Sequence, residues 1–196
     1  MTKKIIFFTL IISVNFLQGN SQAMPDKTES SQDILGLKSN LVYDITTTLN
    51  IGVEYRFLDY LSFDFSINYN PWTFSKNKKL KHILFQPELR YWINKPYNKH
   101  FVGGHILYSH YNVGNLPFGS LNTYRYQGDG YGLGISYGYQ WPLFPGWNLE
   151  ATIGVGYIYF DYARYDCETC GQELGNGHKN YFGPTKIGLS LIYILK

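Results

Sequence analysis

Two cysteines, at Cys167 and Cys170, bracket the dipeptide Glu168-Thr169. In an oxidising compartment such a pair closes a local disulfide. The enclosed loop is very short, so the entropic gain is small. The same spacing occurs in thioredoxin-like redox motifs, but those need a βαβ setting and a helix N-terminus to lower the thiol pKa. No such setting is visible around these cysteines. A tetrahedral metal site would need two further ligands, for which His178 is the nearest candidate, with Glu168 and Glu173 weaker ones. A disulfide between Cys167 and Cys170 is the preferred expectation, and no cofactor is expected.

Titratable residues form a second constellation. Lys38, Asp44, Glu54, Arg56, Asp64, Glu88, Arg90, Glu150 and Lys186 all fall on polar rows of alternating segments. Collected on one side of a sheet, they would make either a paired network or the lining of a pore. Pairing is the preferred reading, since an unpaired buried charge costs several kcal/mol. A nucleophile–base combination is conceivable at His105, Ser109 and His110, or between His82 and Glu88. None of these matches a recognised nucleophile motif, so no catalytic residue is assigned. Lys76, Lys78, Lys79 and Lys81 form a basic cluster near Trp72, Phe74, Phe118, Tyr124 and Tyr126. Such a surface suits lipopolysaccharide phosphates, a glycan or a partner protein.

The elements that must position these residues show period two. In Leu61 to Tyr69, Leu61, Phe63, Phe65, Ile67 and Tyr69 fall on one face and Ser62, Asp64, Ser66 and Asn68 on the other. Gly130 to Trp141 and Trp147 to Tyr159 repeat the pattern. Weaker strands are expected at Leu35 to Ile45, Ile51 to Phe57, Ile83 to Ile93 and Thr185 to Leu195. Phe101 to Val113 is a strand by position, with mixed faces. Pro87 removes a ladder donor inside one strand and predicts a bulge or shifted register there. Short turns are expected at Leu58 to Tyr60, Asn94 to Lys99 and Pro142 to Gly146. Longer loops are expected at Pro71 to Lys79, Gly114 to Gln127 and Ala163 to Asn180.

Composition narrows the class. The 196 residues suffice for one domain, and a net charge of +3 is too mild for a nucleic-acid partner. Charged residues make up only 16% and aromatics 18%, against about 25% charged in ordinary soluble domains. Lys3 and Lys4 followed by the apolar run Ile5 to Leu17 and by Ser21-Gln22-Ala23 read as an export signal cleaved after Ala23. Residues 24–34 would then be a short leader and residues 35–196 the folded domain.

Alternation does not say which face looks outward. The apolar rows of the clear strands carry no charge, whereas a Lys or Arg on the lipid face of a membrane barrel costs about 2–4 kcal/mol at mid-bilayer. The opposite rows are rich in Gly, Ser and Asn, which suits the crowded interior of a small barrel. Aromatics cluster at strand ends, with Tyr69, Tyr131, Tyr157 and Tyr159 at one and Phe57, Tyr91, Trp141, Trp147 and Tyr193 at the other. These features point to lipid outside.

The runs Leu35-Gly36-Leu37-Lys38-Ser39-Asn40-Leu41, Tyr69-Asn70-Pro71-Trp72-Thr73-Phe74 and Gln86-Pro87-Glu88-Leu89-Arg90-Tyr91-Trp92 resemble an uncharacterised family of Gram-negative outer-membrane barrels. So do Gly134 to Trp141 and His178 to Lys186. The resemblance spans nearly all of residues 24–196. It implies an outer-membrane location and this architecture, and brings no activity, because the family is defined by a domain of unknown function.

The expectation is therefore all-β: an eight-stranded antiparallel up-and-down transmembrane β-barrel preceded by a signal peptide, monomeric, with both termini periplasmic and outer-membrane lipid and lipopolysaccharide as its surroundings. A structural or surface-interaction role with a filled lumen is preferred. A lipid-modifying barrel enzyme and a secreted soluble barrel for a small apolar ligand are the alternatives.

Overall fold

The alternating segments pair into a closed antiparallel ring. The computed structural model describes residues 35–117, 119–166 and 171–195. The expected export signal and leader, and Phe118, Cys167, Glu168 and Cys170, lie outside the described residues. The strands are β1 (Leu35–Asn40), β2 (Leu49–Leu58), β3 (Leu61–Asn70), a two-residue β4 (Thr73–Phe74), β5 (Lys78–Trp92), β6 (Lys99–Gly114), β7 (Tyr124–Phe144), β8 (Trp147–Asp166) and β9 (Glu173–Leu195). Each pairs with its sequence neighbour except β3 and β4; β3 pairs β5 instead, and β1 pairs β9. Eight strands thus close the ring, and β4 is an appendage on β5.

The ring is polar inside and apolar outside. Glu54, Arg90 and Gln140 are fully buried, whereas Ile135 is 69% exposed and Leu133 and Ile106 each 62%. A sheet that turned its apolar face to an interior would show the reverse.

Four expectations need correction. The strand foreseen over Leu35 to Ile45 stops at Asn40, and a short helix α1 (Leu41–Ile45) follows. The Asn40 side chain accepts from the Val42 amide and the Leu189 amide, capping α1 and fastening it to β9. Leu41, Tyr43 and Ile45 mimic strand spacing, but Asp44 lies exposed on the helix. Pro87 causes no bulge: Phe85 pairs Tyr108 and Glu88 pairs His105 in one continuous register. Only the two rungs between them are missing, consistent with the absent amide hydrogen.

The loops foreseen at Gly114 to Gln127 and Ala163 to Asn180 are largely strand. β7, β8 and β9 run for 21, 20 and 23 residues. Arg125 lies 4.5 Å from the Tyr165 ring and Arg164 lies 4.9 Å from the Tyr124 ring, holding the extension together. A bulge at Thr185, between the pairs Gly154–Lys186 and Val155–Pro184, inverts the alternation of β9 and hides it from a period-two reading. The mixed faces of β6 also resolve. Phe101, Gly103, His105, Leu107 and Ser109 point inward, and Val102, Gly104, Ile106, Tyr108 and His110 outward.

Interior glycines make room for large neighbours. A side chain at Gly138 would run into the Phe101 ring, whereas one at outward Gly104 meets open space. Gly138→Val should lower the urea unfolding free energy by about 1–3 kcal/mol. Gly104→Val should leave it nearly unchanged. Equal effects at both sites would contradict a filled interior.

Candidate functional site: a buried charge network

The register forces a problem at the centre of the ring. Glu54 stands directly opposite Asp64, and Asp64 directly opposite Glu88, so three carboxylates lie abreast on β2, β3 and β5. Like charges placed so repel. All three are essentially excluded from solvent, as is Glu150 on β8.

Arg90 resolves the repulsion. Its Nη1 lies 2.8 Å from Glu54 Oε2 and 2.7 Å from Glu150 Oε2. Its Nη2 lies 2.7 Å from Asp64 Oδ2, and its Nε 2.6 Å from Glu88 Oε1. One planar guanidinium, with five donors in a fixed fork, therefore meets all four carboxylates. Lys38 reaches in from β1 and meets Glu54 at 2.8 Å and Asp64 at 2.6 Å. Its stem crosses over Gly52, where any side chain would collide with it. Lys186 on β9 meets Glu88 at 3.0 Å.

Neutral groups complete the shell. Ser62 donates to Glu54, Ser136 to Glu88, and Gln140 and Thr152 to Glu150. His105 Nδ1 lies 3.6 Å from Glu88, and its Nε2 shares a 2.9 Å hydrogen bond with the Thr185 hydroxyl. Every one of the eight ring strands thus sends at least one side chain to this cluster. Beside it remains a polar cavity of about 30 Å³, room for a water molecule or two.

An aromatic floor lies below. The Arg90 guanidinium sits 4.2 Å from the Phe101 ring centre, and Phe101 packs on Trp92 at 4.8 Å. The Trp92 indole donates to Ser62. Tyr97, from the turn between β5 and β6, donates its hydroxyl to the Glu54 carbonyl at 3.0 Å. Burial, with the Glu54 charge behind it, holds the Tyr97 phenol above its usual range. No motif marks Trp92, Tyr97 or Phe101 in the sequence, although Trp92 shares the alternating row of Gln86, Glu88 and Arg90.

Two of the candidate charges stand apart. Asp44 accepts from Asn50 near α1, far from the guanidinium in register. Arg56 points inward but is only half-buried, and its Nη2 makes no hydrogen bond among the described residues. The nucleophile candidates are not brought together. His110 faces outward onto Asp129 at 3.0 Å, and among the described residues no serine hydroxyl bonds a histidine. His82 Nδ1 donates to the Leu80 carbonyl, about 20 Å along β5 from Glu88 at the usual strand rise. His178 stacks on Tyr159 at 5.9 Å, and Glu173 accepts from the Tyr165 hydroxyl. Among the described residues no group of three or more His, Asp or Glu side chains is placed to hold a metal ion.

Trp72 donates its indole to the Thr47 carbonyl, Tyr126 packs edge-on against Tyr162 inside the ring, and the four lysines occupy the β4–β5 turn and the start of β5.

A family model described as "Protein of unknown function (DUF3575)" matches residues 6–195. The chain belongs to this family. No curated protein and no solved structure matches it. The family carries no assigned activity, so the chemistry of the site rests on the charge network alone.

Arg90→Met would leave four buried carboxylates with too few cations. It should lower the unfolding free energy by about 3–5 kcal/mol. Lys186→Met removes a cation with one ion-pair partner and should cost clearly less. Equal losses, read from denaturant titrations in detergent, would contradict the central position of Arg90.

Proposed function

We propose that the chain is an outer-membrane β-barrel with an occluded lumen, serving a structural or surface-contact role. The carrying observation is the inverted surface. The outward rows from Leu61 to Tyr69, Ile83 to Tyr91 and Tyr131 to Trp141 hold no charged side chain, while the ionised groups gather inside. Lipid is the solvent that favours such a distribution. β2 and β3, at 10 residues each, have the length a tilted strand needs to cross a bilayer. Ring closure pairs β1 with β9 over Leu195 to Ser190, so no backbone edge is left unpaired at that level. Exposed aromatics at both margins, Tyr69 and Tyr131 against Tyr91 and Trp141, suit the two interfaces.

The basic N-terminal run supports export through a cleaved signal, with both termini in the periplasm. Lys76, Lys78, Lys79 and Lys81 then lie on the outer side, where lipopolysaccharide phosphates are the available anions. The Arg90 network and the aromatic floor argue against a conducting pore.

Leu133→Arg tests the reading. At mid-bilayer it should cost about 2–4 kcal/mol and sharply reduce the protein recovered in carbonate-resistant outer membranes. Wild-type protein should be retained there and show heat-modifiable gel mobility. Recovery of the wild type as a water-soluble monomer would overturn the proposal.

A further inference from the structure

The upper part of the ring contains a feature that a filled structural barrel does not require. β5 to β9 continue past the level where β1 ends, and their concave side encloses a cavity of about 680 Å³. This lies within the ~300–1,000 Å³ range of small-molecule sites. Its wall is aromatic. Tyr111 meets Phe160 edge-on at 5.6 Å and Tyr126 meets Tyr162 edge-on at 5.2 Å. Such pairs hold their rings in place, so the wall is formed before anything binds. Leu121, from the turn between β6 and β7, leans over it.

The cavity is blind at its lower end, where buried Leu107 and then His105 and the charge network close the ring. It is open above. One side is open too among the described residues, because there β9 pairs β1 only over Leu195 to Ser190 and the rest of that β9 edge has no strand partner. The polar lining consists of His82, Ser109, Ser120 and Lys179 with tyrosine hydroxyls, and among the described residues no carboxylate lines it. Lys179, opposite Phe160 on the open β9 side, is exposed and makes no ion pair among the described residues.

We infer that this cavity binds an amphipathic monoanion, with its apolar body against the tyrosine–phenylalanine wall and its anionic head at Lys179. An aliphatic chain and a flat aromatic ring both fit that description. The inference stands on the cavity alone and does not depend on membrane insertion.

The test is calorimetric titration of the purified full chain with dodecanoate and, separately, 1-naphthoate. The protein is held in phosphatidylcholine nanodiscs, with empty discs subtracted, or in plain buffer if it stays soluble without lipid. Saturable binding of at least one anion is expected, with the better probe indicating the aliphatic or aromatic source. Dodecyltrimethylammonium should bind more weakly than dodecanoate. Lys179→Glu should weaken anion binding by about three- to tenfold, as for a partly exposed charge contact. Ser109→Trp, which fills the cavity, should abolish it, and both variants should keep wild-type heat-modifiable mobility or circular dichroism. Absence of binding above the empty discs, or binding that neither variant changes, would overturn the inference.

Discussion

A single guanidinium surrounded by four carboxylates is the constraint on which the ring depends. Glu54, Asp64 and Glu88 stand abreast because the strand register puts them there, and Glu150 approaches from across the interior. Without Arg90 the row would be mutually repulsive in a site closed to water. With it, the acids become attachment points for opposite walls. Lys38 ties β1 to β2 and β3, Lys186 ties β9 to β5, and Gln140 and Ser136 bring in β7. The interior is held by charge pairing in place of aliphatic packing.

That choice shapes everything around it. Because the polar groups satisfy one another inside, the large apolar side chains are left to face outward. Small residues opposite bulky ones, as at Gly52 under Lys38 and Gly138 against Phe101, let the interior fill without strain. The floor of Trp92, Tyr97 and Phe101 closes the end with the short turns. The opposite end, where the long strands run on, stays open and aromatic. The ring is thus closed in its lower half and open in its upper half.

Much of this is legible in the alternation of residue types. Tyr131 through Trp141 against Gly130 through Gln140 describes the middle of β7 without ambiguity. The parity of Lys38, Glu54, Asp64, Glu88, Arg90, Glu150 and Lys186 brings their side chains to one side. Which of them touch is not legible, because contacts across a ring depend on stagger between strands distant in sequence. β6 resists reading since Phe101 and Leu107 turn inward while His110 turns outward. The upper half of β9 resists because the bulge at Thr185 exchanges its faces. α1 escapes because Leu41, Tyr43 and Ile45 keep strand spacing through a helical turn set by the Asn40 cap. Asp44 leaves the interior row for that reason.

The inside-out arrangement can be read directly from tryptophan fluorescence. Trp92 is fully buried beside the charge network, and Trp141 is 42% exposed on the outer face. Each can be kept as the sole tryptophan, the other three replaced by phenylalanine, and the protein reconstituted in vesicles of brominated phosphatidylcholine. Strong quenching of Trp141 emission by the brominated chains, with Trp92 emission unaffected, is the predicted result. Equal quenching of both, or quenching of Trp92 alone, would contradict a polar interior facing away from lipid.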